Sequence, residues 1–172
     1  KEFVEANKIR FSEGYKYYED YDFIFRSLAL SSNTKITEKP LYYYMLREQS
    51  AMQRFTVDRI TCLNLMENLE PFFDDNVPEF SETFKKWGVS RIYWSVLWQA
   101  ALAFNYKDFL TFAKKTSADE KLKNLSDFPS KKVSLSSALY THSKLMYYIA
   151  ANASTRGKTK IEKSDINGFR VI

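Results

Sequence analysis

Tyr17-Tyr18-Glu19-Asp20-Tyr21-Asp22-Phe23 and, further on, Tyr42-Tyr43-Tyr44-Met45-Leu46-Arg47-Glu48-Gln49-Ser50 are the two stretches on which the reading of this chain turns. The first opens a helix. Over 19–30 the apolar positions Phe23, Ile24, Leu28 and Ala29 fit one helical face, and Asp22 and Arg26 form an i,i+4 pair on another. Glu19 and Asp20 fall in its first turn, where the helix dipole favours negative charge. Ser31-Ser32-Asn33 stops it. Residues 34–38 then read as a short strand, and Pro40 introduces a second over 41–46, with Tyr42 and Tyr44 on one face. The expectation for residues 1–55 is therefore a small α/β segment.

The rest reads as helix. Before the dyad, residues 1–10 form a short helix or strand and Gly14 marks a turn. Beyond it, Thr56 is the N-cap of a helix carrying Val57, Ile60, Leu63, Met66 and Leu69, ended by Pro71. Pro78 opens the longest helix, 79–104, whose stripe includes Phe80, Phe84, Trp87, Trp94 and Leu97. Gly88 inside it is expected to kink the helix or weaken it by about 1 kcal/mol relative to Ala. A helix over 106–115 follows, then a capping box at Ser117-Ala118-Asp119-Glu120. A last helix spans 135–152, aligning Leu135, Leu139, His142, Leu145 and Ile149. The fold class expected is mainly α with the small α/β segment in front. Residues 1–55, a helical domain over 56–152 and a polar, basic tail over 153–172 are the parts. No internal repeat is found.

Composition bounds the chemistry. The 172 residues carry 45% hydrophobic and 27% charged side chains, ordinary for a globular chain. Fourteen Phe, twelve Tyr and three Trp make the chain ring-rich, and only four Gly and four Pro favour long helices. One cysteine, Cys62, excludes an intramolecular disulfide framework and fits a reducing compartment. Its place in an amphipathic run marks a small buried residue rather than a nucleophile. One histidine, His142, argues against a His-based metal site or a Ser-His-Asp relay. The net charge of +5 permits anionic partners without choosing among them. No apolar stretch spans a bilayer and no signal peptide opens the chain, which begins without Met as an excised piece would.

Adjacent carboxylates at a helix start suit a general base or a divalent-cation ligand, and they equally serve as plain first-turn acids. An aromatic strand running into Arg47, Gln49 and Ser50 adds a planar cation, an amide and a hydroxyl. Arg suits bidentate phosphate contact. The plainer reading of that loop is a solvated strand edge.

Taken in order, F-x-E-G-x-x-Y-x-E-D-Y-D-F over 11–23 and K-P-L-Y-Y-Y-x-x-R-x-x-S-A-M over 39–52 resemble the second half of bacterial family 2 glycosyltransferases. These are inverting, nucleotide-sugar-dependent enzymes of the GT-A fold. The resemblance covers residues 1–55, and the helices beyond carry no signature of their own. It implies that Asp20 is the catalytic base, with Glu19 orienting it or touching the acceptor. Arg47 and Ser50 match the loop that closes over the donor diphosphate, and Gln49 stands where some members place a His. The nucleotide-binding half and its Asp-x-Asp metal motif have no counterpart here. Asp20-Tyr21-Asp22 belongs to the base motif by its surroundings, so no metal ligand is assigned in this chain. A divalent cation, Mg or Mn, is implied for the full-length enzyme only.

The same resemblance implies a nucleotide-sugar donor, a glycan or lipid-linked acceptor, and a missing N-terminal domain as partners. It places the chain in cell-surface polysaccharide synthesis, cytoplasmic, with peripheral contact at the inner membrane face left open. The piece alone is expected to be inactive. The alternative is a non-enzymatic helical interaction module that docks through Trp87, Tyr93, Trp94, Trp98 and Tyr147-Tyr148. The missing half or a membrane surface is the other partner open to these rings, with Lys85, Lys86, Lys114, Lys115, Lys131 and Lys132 beside them. The plain reading of those lysines is a solvated face. Nucleic acid is not expected as a partner: no recognised binding pattern appears, and the basic residues are interspersed with acids.

Overall fold

The computed structural model describes residues 1–43, 55 and 58–154. Among these every regular element is helical: α1 (Glu2–Ala6), α2 (Glu19–Leu30), α3 (Asp58–Glu67), α4 (Glu70–Asn76), α5 (Pro78–Thr83), α6 (Ser90–Ala103), α7 (Tyr106–Lys115), α8 (Ala118–Lys123), α9 (Lys131–His142) and α10 (Lys144–Ser154). A π-helical turn, Phe84–Val89, joins α5 to α6 without a break.

The α/β expectation for residues 1–55 is corrected. Residues 34–38 and 41–43 form no strand. A strand needs an edge to pair with, and the described residues supply none. Ile36 is 95% exposed and Tyr43 92% exposed, so these side chains face solvent rather than a paired sheet. The remainder of the second expected strand, 44–46, lies outside the described residues.

The continuous rod from Pro78 to Ala103 matches the long helix read from the apolar stripe, and it is the axis of the fold. Its α6 portion buries Ile92, Tyr93, Trp94, Val96, Leu97, Ala100 and Ala101, and packs against α3, α7, α8, α9 and α10. Gly88 lies in the π turn of this rod. There the Phe84 ring folds back over the glycine, so that a Cβ on Gly88 would meet Phe84 Cδ2 at 2.7 Å. Phe84 in turn stacks on Phe73 at 3.9 Å with an interplanar angle of 2°, and Phe25 of α2 meets its edge at 5.3 Å. An extra residue per turn is the local change that admits this ring without breaking the helix.

Boundaries also differ from the sequence reading; α9, for one, begins at Lys131 and not at 135. Pro71 opens α4 at its first positions instead of ending α3, consistent with the tolerance of proline where the N–H has no partner. Ser117 adopts a left-handed conformation at φ 52° and makes no side-chain cap bond, so the expected capping box is not formed although α8 is. The last helix is two: Ser143, with φ −155° and ψ 104°, breaks it after His142.

That break re-aims the apolar positions. The side chains turned inward are Val133, Ser137 and Tyr140 of α9 and Tyr147 and Ala151 of α10. Leu135, Leu145 and Ile149, aligned in the sequence reading, face outward, with Leu135 69% exposed. Aromatic volume decided the face: Tyr140, Tyr147 and Phe109 form an edge-to-face and stacked cluster that the smaller leucines cannot replace.

Candidate functional site

The start of α2 is fixed from both sides. Gly14 takes φ 85° and Tyr18 takes φ 66°, so the chain turns tightly before Glu19. A left-handed tyrosine is uncommon and needs surrounding contacts to hold it. Tyr18 has them: its hydroxyl donates to Ser95 Oγ on α6 at 3.2 Å, and its ring packs on Tyr21 at 5.0 Å. Burial pushes its phenol up, against the smaller lowering effect of the Ser95 bond. Tyr17 beside it is buried, with the Arg59 guanidinium 4.7 Å over its ring. Arg59 is itself buried and donates to Gln99 of α6. These contacts hold the front of α2 on α3 and α6.

The three acids of the first turn then separate. Asp22 is fully buried; its Oδ2 accepts from Ser12 Oγ at 2.7 Å and its Oδ1 from Arg26 Nε at 2.9 Å. The i,i+4 pair read from the sequence is formed, but inside the protein rather than on a solvated face. Asp20 is exposed, and its Oδ1 accepts the backbone N–H of Tyr21 at 2.9 Å. Glu19 is half-buried and makes no hydrogen bond or ion pair among the described residues. Chemically the site offers two available carboxylates at a helix N-terminus and one engaged in packing.

Arg47, Gln49 and Ser50 lie outside the described residues, so the structure does not bring them to the dyad or away from it. The divalent cation implied by the resemblance finds no fit in the described part. Both oxygens of Asp22 are engaged, which leaves Asp20-Tyr21-Asp22 unable to present a carboxylate pair. Among the described residues no group of three or more His, Cys, Asp or Glu could hold a metal. Cys62 is fully buried, its thiol donates to the Arg59 carbonyl at 2.6 Å, and burial pushes it up to about 12. At neutral pH it is an inert thiol.

Of the cavities formed by described residues, two are lined by neither Glu19 nor Asp20. One, about 460 Å³, is an apolar groove between the end of α2 and α4, α5 and the π turn, walled by Phe25, Leu28, Phe73, Phe80, Phe84 and Trp87. The other, also about 460 Å³, lies between α7, α8 and α10, with Leu110 and Ala113 in its wall and Lys114, Asp119, Glu120 and Lys144 beside it.

A third feature was only half visible in the sequence. Trp94 carries Arg91 at 4.4 Å and Lys132 at 5.8 Å over its ring, and Lys132 also lies 5.5 Å from the Trp98 ring. The tryptophans and Lys132 stand out by composition. Arg91 lies three residues before Trp94 on α6, a local pairing, and only Lys132 is brought in by α9.

No family model, no curated protein and no solved structure matches the chain.

Proposed function

We propose that this chain is the C-terminal part of a nucleotide-sugar-dependent glycosyltransferase that transfers a sugar to an acceptor hydroxyl with inversion. The observation that carries the reading is the division of labour among the α2 acids: Asp22 is consumed by Ser12 and Arg26, whereas Asp20 remains exposed on a rigidly held helix start. A base must be within reach of the proton it takes, and an exposed carboxylate at a fixed backbone position meets that need.

In this reading the acceptor hydroxyl gives its proton to the Asp20 carboxylate while its oxygen attacks the anomeric carbon. The bond from that carbon to the diphosphate oxygen breaks, and the nucleoside diphosphate leaves with the electron pair. Glu19 orients the base or the acceptor. Arg47 and Ser50 hold the diphosphate, with Gln49 beside them. The nucleotide-binding half supplies the donor pocket and any Mg or Mn site, so the chain by itself is inactive. The outward-facing Ile36, Leu41, Tyr42 and Tyr43 also support the reading, since a neighbouring catalytic domain would cover them.

The acceptor is a glycan or lipid-linked intermediate of cell-surface polysaccharide synthesis, handled on the cytoplasmic side of the membrane. The test is Asp20→Asn in a polypeptide that carries the nucleotide-binding half. Transfer should fall by about 10²–10⁴, the usual worth of a positioned base, with donor affinity unchanged. Retained turnover removes Asp20 from the role. A second reading, a helical interaction module without catalysis, draws on the half-exposed Trp87 and Trp98. It requires a reading frame that begins near Lys1 with no nucleotide-binding domain upstream.

A further inference from the structure

We propose that the face built from the π turn, the front of α6 and the start of α9 docks peripherally on an anionic bilayer surface. The inference does not depend on the glycosyltransferase reading. Its scaffold is a satellite cluster apart from the main core: Trp94, Leu125 and Val133, with Trp87, Trp98 and Phe128 half-buried around them. Trp94 is a fixed platform, because its indole N–H donates to Ser136 Oγ at 2.8 Å. Arg91 and Lys132 both lie over that ring, and Lys86 lies 5.6 Å from the Trp87 ring.

The charge here is uncompensated. Lys85, Lys86, Lys121 and Lys144 each reach a carboxylate. Arg91, Lys131 and Lys132 form no ion pair among the described residues. Lys131 and Lys132 occupy the first turn of α9, where the helix dipole opposes cations, so helix stability does not account for them. A face with three unneutralised cations calls for an anionic partner.

It calls for an apolar one as well. Trp87 and Trp98 are partly exposed, and Leu135 stands outward one turn beyond Lys131. An anionic bilayer offers both within its headgroup region, where indoles and basic side chains are favoured together. A single-stranded nucleic acid would need open ring faces for stacking. Here Trp94 is covered by its cations, and Trp98 is enclosed by Lys132, Trp94 at 5.7 Å and Tyr147 at 5.4 Å. No helix among the described residues is long and apolar enough to cross a membrane, so the contact is peripheral.

The test is sedimentation of the 172-residue chain with phosphatidylcholine vesicles and with equimolar phosphatidylcholine and phosphatidylglycerol vesicles. Binding is expected to the anionic vesicles only, and to be lost near 1 M salt, where the screening length is about 3 Å. Lys131→Gln with Lys132→Gln, both exposed and checked for helicity by circular dichroism, should weaken partition roughly thirty-fold, at about tenfold or less per surface cation. Lys107→Gln with Lys114→Gln, equally exposed on α7, should leave it unchanged. Absence of binding, an equal loss in both double variants, or displacement by a DNA duplex at phosphate concentrations below those of the lipid would each overturn the proposal.

Discussion

Arg26 Nε donates to Asp22 Oδ1 at 2.9 Å one turn along α2, with Asp22 fully buried and the Arg26 side chain 29% exposed. The Arg26 guanidinium also lies 4.6 Å over the Phe72 ring of α4, so the pair ties α2 to the helical body. Removing one member of a buried pair costs more than the pair is worth, because the survivor keeps its desolvation without its partner. Asp22→Ala should therefore destabilise by about 3 kcal/mol, near the lower end of the range because Arg26 regains some water. Asp20→Asn, two residues earlier and exposed, should stay within about 0.5 kcal/mol. Urea midpoints of the two variants check this. Equal losses would show that Asp20 is a folding residue as well.

Gly88→Ala should also destabilise, although it sits in a helical rod. Propensity alone predicts a gain of about 1 kcal/mol on replacing a helical glycine by alanine. The new Cβ would instead stand 2.7 Å from Phe84 Cδ2, and that ring is pinned by its stack on Phe73. Overpacking of this kind costs about 1–3 kcal/mol, and with the ring pinned the cost outweighs the propensity gain. Thermal unfolding decides the sign. A clearly raised midpoint would mean that the Phe84 ring moves freely and that the π turn is not built around the glycine.

Tyr140 and Tyr147, in edge contact at 5.3 Å, should respond oppositely to the loss of a hydroxyl. Tyr140 donates to Asp119 Oδ1 at 2.5 Å, whereas the buried Tyr147 hydroxyl has no hydrogen-bond partner. A buried polar group without a partner carries its desolvation cost uncompensated. Tyr147→Phe should then stabilise by about 1 kcal/mol and Tyr140→Phe destabilise by a similar amount. The two denaturation midpoints moving in the same direction would contradict this assignment.

Much of the architecture was legible because local physics and tertiary packing agree. The stripe from Phe80 to Leu97 marked the long rod, the helix over 106–115 is formed as α7, and Asp22 with Arg26 announced itself by spacing. The failures have particular causes. A strand is a relation between segments, so the β-like composition of 34–43 could not supply its own partner. Leu135, Leu145 and Ile149 satisfied a helical period as well as the buried tyrosines do, and only the break at Ser143 chooses between the two faces. At the candidate site, Glu19 and Asp20 were legible as a first-turn pair. The burial of Asp22 was not, because Ser12 reaches it from outside α2 and the Phe72 ring of α4 covers its partner Arg26. The pairing of Lys132 with the Trp94 ring was not legible for the same reason: the cation comes from α9 and the ring from α6.

The buried phenols set the alkaline limit of the fold. Burial raises Tyr93, Tyr140 and Tyr147 above the ordinary value of 10.0, reinforced at Tyr93 by its bond to Glu67 and at Tyr140 by its bond to Asp119. The folded state thus holds these protons more tightly than the unfolded chain. Their contribution is complete below the unfolded value and is lost as pH rises from there through the folded values. Each such group steepens the decline by up to about 1.4 kcal/mol per pH unit. Lysine deprotonation in the same range is common to all variants, so a comparison isolates the phenol. Tyr147→Phe should unfold with a shallower dependence on pH above 10.0 than the parent chain, by about one such increment. Superimposable pH profiles of unfolding free energy for the two proteins would show that the Tyr147 hydroxyl titrates as it does in water.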